Sequence, residues 1–204
     1  MTLSRREIAA ILVLFAATLS VGVAPAKAVE MRVTRDALER TLKQQLFAGP
    51  DGRYYLKGSA QSACSTYVEN PQLSFVQDRI VVRVKAHARM GKAVGGSCIG
   101  LPPLSLAAQV SMAPDAEGET IGFRDAHLDK VSDRSELNFL LSPFLSRQVP
   151  SSMRVNAADI LRKALADSTA TSGYKISLDR LKIHSILIDG DSLVVDLDGD
   201  LSVK

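Results

Sequence analysis

Few residues of this chain have the types and spacing that catalysis or metal binding requires. The three histidines, His87, His127 and His184, lie on separate segments, and we predict that each is a solvent-facing strand residue rather than a ligand or a general base. The run Gly95-Gly96-Ser97-Cys98-Ile99 is not a nucleophile elbow, because its fifth residue is not glycine. The chain also contains no H-E-x-x-H and no P-loop. The sequence therefore predicts a protein that is not an enzyme and that needs no metal and no cofactor.

An acidic cluster near the end of the chain has some of the character of a calcium loop. It contains Asp189, Asp191, Asp196, Asp198 and Asp200. The EF-hand pattern requires glycine at its sixth position, whereas Gly199 stands fourth when counted from Asp196. Apolar residues alternate with these acids, so we predict that the acids form the wet face of a strand.

Cys64 and Cys98 are the two cysteines of the chain. In an oxidising compartment they predict one disulfide, which would close a loop of 34 residues and stabilise the fold by roughly 3 to 4 kcal/mol. Two free buried thiols are the alternative. A redox-active pair is not expected, because there is no C-x-x-C. Cys98 lies in a glycine-rich stretch, residues 91–100, which we predict to be a loop.

Residues 1–28 have the features of a signal peptide. Arg5 and Arg6 precede an apolar run over residues 8–24, and Ala26-Lys27-Ala28 matches the small-x-small cleavage pattern. We therefore predict cleavage after Ala28, a single domain over residues 29–204, and a periplasmic location. An uncleaved membrane anchor is the alternative, and the export route can be general secretion or the twin-arginine pathway.

The composition is that of a folded globular domain rather than of a nucleic-acid-binding surface. Hydrophobic residues make up 46% and charged residues 23% of the 204 residues. There is no tryptophan, aromatic residues make up 5%, and the net charge is only +3. We therefore expect no nucleic-acid partner, since stacking platforms and strong basic patches are both missing.

Helical spacing occurs in three places. Thr34 is a suitable N-cap for the first helix, and Gly49-Pro50 ends it. Its apolar face comprises Leu38, Leu42 and Leu46. A second helical pattern covers residues 135–149, and Asn156 caps a third helix.

Strand patterns occupy most of the remaining chain. The strictest alternation covers residues 79–90, with Val82 and Val84 expected inside and Arg83 and Lys85 outside. Residues 104–112 alternate in the same way. Asp189-Gly190-Asp191 then predicts a hairpin between the last two strands.

Two charged stripes accompany these strands. One comprises Arg83, Lys85, His87 and Arg89, and the other comprises Asp196, Asp198 and Asp200. They can be ordinary solvent faces, they can pair with each other across a sheet, or the basic stripe can contact anionic lipid headgroups.

Three segments carry a family resemblance: Val33-Thr34-x-x-x-Leu38-x-x-x-Leu42 at the start of the first helix, residues 122–128, and residues 137–145. With the signal sequence and the run of strands, this order resembles the YceB-like periplasmic proteins of the tubular lipid-binding superfamily, which are BPI-like domains. The resemblance implies an α+β fold, in which a strongly curved antiparallel β-sheet wraps around a long N-terminal helix with one or two further helices. It also implies an apolar tunnel that holds lipid acyl chains. The chain lacks the lipid-attachment cysteine of YceB, which argues against lipid anchoring.

The apolar faces then predict the lining of a cavity between the first helix and the sheet. The predicted lipid-binding residues are Leu38, Leu42, Leu46, Val82, Val84, Leu106, Val110, Phe144, Val195 and Leu197. We expect an exported, non-catalytic protein that binds lipid acyl chains or another apolar small molecule, with transient membrane contact, in lipid transport or envelope maintenance. The alternative is an envelope assembly factor that uses the same fold as a protein-interaction surface, with an unknown protein partner. An enzyme with an unrecognised site is the third class.

Overall fold

The computed structural model describes residues 28–128 and 135–203. The predicted leader therefore lies outside the described residues, except for Ala28. Within the two described ranges, no helix is both long enough and apolar enough to cross a membrane.

Antiparallel strands form most of the structure. They are β1 (Ala28–Thr34), β2 (Arg53–Lys57), β3 (Thr66–Val76), β4 (Arg79–Ala88), β5 (Gly91–Val94), β6 (Ser97–Gly100), β7 (Leu104–Glu117), β8 (Thr120–Leu128), β9 (Val155–Asn156), β10 (Ile176–Asp189) and β11 (Ser192–Val203). A curled six-stranded sheet has the order β2-β3-β4-β7-β8-β9, a second sheet has the order β1-β11-β10, and β5-β6 is a separate hairpin. Strands β7 and β10 contact each other where the two larger sheets meet.

The helices cover the apolar side of these sheets. They are α1 (Arg35–Leu46), α2 (Ser135–Pro143), a π-helical turn (Phe144–Gln148), α3 (Val149–Ser152) and α4 (Ala157–Ser172). Helix α1 packs on β3 and α3, and α4 packs on β10. Pro143 has no N–H to donate within the helix, and the regular α-helix gives way to the π-helical turn directly after it.

Strand β4 has the predicted orientation. Val82 and Val84 are buried in the core, while Arg83 and Lys85 are exposed. Val81, which the alternation assigns to the outer face, is also buried. The core cluster combines side chains of both large sheets and of the helices, so the helices and the two sheets share one interior.

The predicted start of the first helix is confirmed. The Thr34 hydroxyl accepts a hydrogen bond from the backbone N–H of Ala37 at 3.3 Å, as an N-cap should. Asn156 caps α4 in the same way, because its Oδ1 accepts a hydrogen bond from the N–H of Asp159 at 3.0 Å. The long N-terminal helix implied by the family resemblance is not seen: α1 has 12 residues, or about 18 Å, because the chain leaves the helix at Phe47.

The prediction of a loop over residues 91–100 is wrong. This stretch is the β5–β6 hairpin, whose strands pair from Gly91↔Gly100 to Val94↔Ser97. Gly95 and Gly96 both adopt positive φ, at +53° and +79°, which suits the two central positions of a type I′ turn. The Gly95-Gly96 pair therefore forms the turn of a hairpin.

The two charged stripes lie in different sheets, so the alternative in which they pair with each other across a sheet is excluded. The basic stripe belongs to the outer face of the six-stranded sheet, and the acidic stripe belongs to β11 in the other. Asp198 pairs with His184 on the neighbouring strand β10. A charged side chain on a strand pairs with side chains of the neighbouring strands. The order of the strands in each sheet therefore decides which partners are available.

Candidate functional site

The ten predicted lining residues come together in the hydrophobic core. Eight of them are almost completely buried in the core cluster, and Leu46 and Leu106 are half-buried against it. Only Phe144 among the ten also lines one of the open pockets described below. The structure therefore joins the predicted residues in the core, and Phe144 is the member of the set that also reaches an open pocket.

An apolar cavity lies along one side of helix α2 and has a volume of about 660 Å³. Its walls come from the end of β2, the first cysteine of the disulfide, the start of the β5–β6 hairpin, and α2 itself. The lining residues are Lys57, Cys64, Arg89, Met90, Gly91, Ser135, Phe139 and Leu140. A smaller pocket of about 270 Å³ shares Phe139 and Leu140 with this cavity, lies between α2 and the edge strand β2, and is also lined by Phe144. We call the two pockets together the α2 groove.

Phe139 is the most exposed large apolar residue at this groove, with 78% of its surface accessible. Leu137 and Leu141 lie on the same helix and are fully buried. A residue two positions from each of them points about 200° away around the helix axis, so burial of the leucines forces Phe139 outward. The exposed ring therefore enlarges the apolar surface around the cavity.

The disulfide forms one wall of the groove. Cys64 and Cys98 are bonded, with 5.0 Å between their Cα atoms, so the predicted bond is confirmed. It ties the β5–β6 hairpin to the segment before β3. Since Gly91 and Cys64 both line the groove, the hairpin is held at the cavity by this bond.

A polar network covers the outer face of the six-stranded sheet near the same end. Arg53 Nε lies 3.1 Å from Glu69 Oε2, and its guanidinium stacks 4.4 Å above the Tyr67 ring. Hydrogen bonds with Tyr55 and Glu69 raise the pKa of Arg53. The His87 ring also stacks on the Tyr67 ring, with 5.0 Å between the ring centroids. Its Nε2 is 3.0 Å from Glu69 Oε1 but is not aligned as a hydrogen bond.

These contacts stabilise the surface of the sheet and do not arrange a nucleophile beside a base. Within the described ranges, no three His, Cys, Asp or Glu residues come together as a metal site. The aspartates of β11 instead follow the strand, as expected, with Asp200 3.8 Å from Arg180.

Sequence reasoning missed most of the groove. Phe139 belongs to a segment that carried the family resemblance, but it was not predicted to contact a ligand. An aromatic residue on the outer side of an amphipathic helix is the signal that would have identified it. No comparable signal existed for Lys57, Met90 and Leu140, because their proximity depends on how α2 rests against the sheet.

No protein-family model matches this chain, and no curated protein matches it. One solved structure, described as the crystal structure of lipopolysaccharide binding protein, is 13% identical over 88% of this chain, with a TM-score of 0.29. The match covers 51% of that structure, so the present chain spans about half its length.

Proposed function

We propose that this is an exported, non-catalytic protein that binds the acyl chain of a lipid in the α2 groove and serves lipid transport or envelope maintenance. The observation that carries the proposal is the 660 Å³ cavity beside the 78% exposed ring of Phe139. This volume is within the range of about 300 to 1,000 Å³ that small-molecule sites occupy. The apolar lining suits a methylene chain better than a polar substrate.

The energetics of such binding are favourable. Burial of about 14 methylenes contributes about 11 kcal/mol. Association and ordering cost about 4 to 15 kcal/mol, so the affinity is micromolar when this cost is at the low end of that range. No charged residue has to enter the interior, and no chemical step is needed.

The predicted lining residues are the second part of the proposed lipid path. An acyl chain that is longer than the α2 groove passes Phe144, which lines the smaller pocket, and continues between α1 and the sheet. The residues along that path are Leu38, Leu42, Leu46, Val82, Val84, Leu106, Val110, Val195 and Leu197. Their burial in the core means that the path opens only when the ligand separates the helix from the sheet.

Two observations support export to the periplasm. The sequence of residues 1–28 has the features of a signal peptide, and the Cys64–Cys98 disulfide is a bond that persists in oxidising compartments. The curled antiparallel sheet with three helical regions is compatible with the proposed YceB-like membership of the tubular lipid-binding superfamily.

A second candidate function is supported by the position of β2. This strand is the edge of the six-stranded sheet and forms one side of the smaller pocket. An extended peptide can add to a free sheet edge and place alternate side chains in adjacent pockets. An envelope assembly factor would use the groove in this way.

Native mass spectrometry of protein purified from the periplasm tests the proposal. We expect co-purified lipid on the wild type and none on Leu140→Trp, whose larger side chain fills the cavity. Ile160→Trp is the matched control, because Ile160 is an exposed residue of α4 and does not line the groove. Absence of lipid from wild type and from the control contradicts lipid binding and favours the assembly factor.

A further inference from the structure

Two cations, Lys57 and Arg89, line the apolar cavity, and neither has a carboxylate partner among the described residues. Lys57 and Arg89 are both exposed, and they are the only charged residues among the described residues that line it. Within the part of the chain that the structure describes, neither side chain forms an ion pair, whereas Arg162, for example, pairs with Glu119 at 3.1 Å. The cavity therefore combines an apolar lining with an uncompensated positive charge.

Arg89 separates two cavities of different character. It lines the apolar cavity, and it also lines a pocket of about 360 Å³ whose lining residues are mostly polar. These polar residues include Arg53 and His87 and the hydroxyl-bearing residues Tyr55, Ser62, Ser65, Tyr67 and Ser105. A ligand that has an apolar part and a polar part matches this division.

The backbone of Arg89 is held in place at this boundary. Its N–H donates a hydrogen bond to the carbonyl of Ser65 at 2.8 Å, one residue after the disulfide-bonded Cys64. The next residue, Met90, lines the apolar cavity. The backbone hydrogen bond therefore holds Arg89 where the two pockets meet.

We infer that the ligand is an anionic amphiphile, whose acyl chain occupies the apolar cavity and whose carboxylate or phosphate is bound by Arg89 and Lys57. This inference rests on the proposed function and adds the class of ligand to it. Arginine offers two parallel N–H donors that match a carboxylate or a phosphate, and lysine adds a second charge. A neutral headgroup would leave both cations without a partner. A zwitterionic headgroup would have no carboxylate in the described lining to pair with its cationic group.

The test compares ligands with the same chain and different heads, each below its critical micelle concentration. The protein is the exported form, stripped of co-purified lipid. The probes are dodecyl phosphate, dodecanoate, the neutral monolauroyl glycerol, and inorganic phosphate without a chain. Isothermal titration calorimetry measures the four dissociation constants for wild type, Arg89→Gln, Lys57→Gln and the control Lys85→Gln. Lys85 is an exposed cation of the outer sheet face that does not line the cavity.

We expect wild type to bind the better anionic probe roughly tenfold more tightly than the neutral one, as a charge-assisted hydrogen bond predicts. Arg89→Gln should reduce this ratio to about twofold or less, Lys57→Gln should reduce it partly, and Lys85→Gln should leave it unchanged. The ratio should also fall with added salt, because both cations are exposed. Tighter binding of dodecanoate indicates a free fatty acid as the source, and tighter binding of dodecyl phosphate indicates a phospholipid; both support the inference.

Three results overturn it, and they can be told apart. Equal binding of neutral and anionic probes, unchanged in Arg89→Gln, removes the anionic preference and leaves the proposed function standing. Inorganic phosphate bound as tightly as dodecyl phosphate shows an anion site without a role for the chain. Failure of wild type to bind any of the three amphiphiles removes the inference and the proposed function together.

Discussion

The side chain of Glu39 in helix α1 accepts a hydrogen bond from the backbone N–H of Leu73 in β3, with 3.0 Å between Oε2 and the nitrogen. The other carboxylate oxygen lies 2.6 Å from Lys43 Nζ, one turn along the helix. One side chain therefore connects the helix to the sheet just after β3 bends, where Asn70 has a positive φ and the register with β4 shifts. The bend directs the N–H of Leu73 toward the helix.

This relationship predicts how stability depends on pH. Partial burial raises the pKa of Glu39, but the hydrogen bonds from Lys43 and Leu73 outweigh it, so that the pKa is lowered below its ordinary value. A lowered folded-state pKa means that the charged carboxylate stabilises the fold above the unfolded-state pKa, near 4.3, and that this contribution is lost as the pH falls through the folded-state pKa.

The Glu39→Gln variant should therefore be about 1 kcal/mol less stable than wild type at pH 7, and the difference should shrink toward zero at pH 3. Urea unfolding at both pH values measures it. Glu30→Gln is the control, because Glu30 forms an exposed pair with Arg32 and should change stability by less. A difference for Glu39→Gln that stays the same at pH 3 would contradict the assignment.

The disulfide should contribute both stability and the shape of the groove. Replacing Cys64 and Cys98 by alanine removes the bond that closes a 34-residue loop and should cost roughly 3 kcal/mol. Hydrogen exchange should increase in the β5–β6 hairpin, residues 91–100, because the bond is what ties it to the segment before β3. Dithiothreitol should reproduce both effects in wild type and have none on the double variant. Unchanged exchange in the hairpin would show that it is held by other contacts.

Substitutions of Phe139 and Leu137, which lie on the same helix, give a matched pair of variants. Phe139→Ser should leave stability within about 0.5 kcal/mol of wild type, since the ring is 78% exposed, while reducing the amount of lipid that co-purifies. Leu137→Ser should destabilise the fold by several kcal/mol, because that side chain is 1% exposed. Thermal unfolding and lipid extraction measure the two effects. Normal lipid content in Phe139→Ser would remove this residue from the proposed site.

Val84 tests whether the predicted inner wall opens. The side chain is 1% exposed, so Val84→Trp should overpack a closed core and destabilise it by more than the about 1 to 3 kcal/mol that added methylenes cost. If the lipid reaches this wall, lipid content should also fall as far as it does in Leu140→Trp. Chemical denaturation and native mass spectrometry of the same samples separate the two outcomes. Full lipid content in a folded Val84→Trp protein would restrict the ligand to the α2 groove.

Local chemistry in the sequence determined several parts of this protein. The caps at Thr34 and Asn156 set the starts of two helices, because an N-cap satisfies backbone donors within three residues of itself. Alternation along β4 determined which side chains are buried, except at Val81, because successive strand residues point to opposite faces. Both signals act over a few residues and need no knowledge of the rest of the chain.

The groove and the partners of the charged strands were decided by the tertiary structure. Lys57, Arg89 and Phe139 are far apart in sequence and meet only because α2 lies against the edge of the six-stranded sheet. The residues predicted to line the cavity are in the core, because apolar faces from two sheets and the helices pack against one another there. Hydrophobic periodicity shows that a face is buried, whereas what it is buried against depends on strand order and helix position, which no local pattern contains.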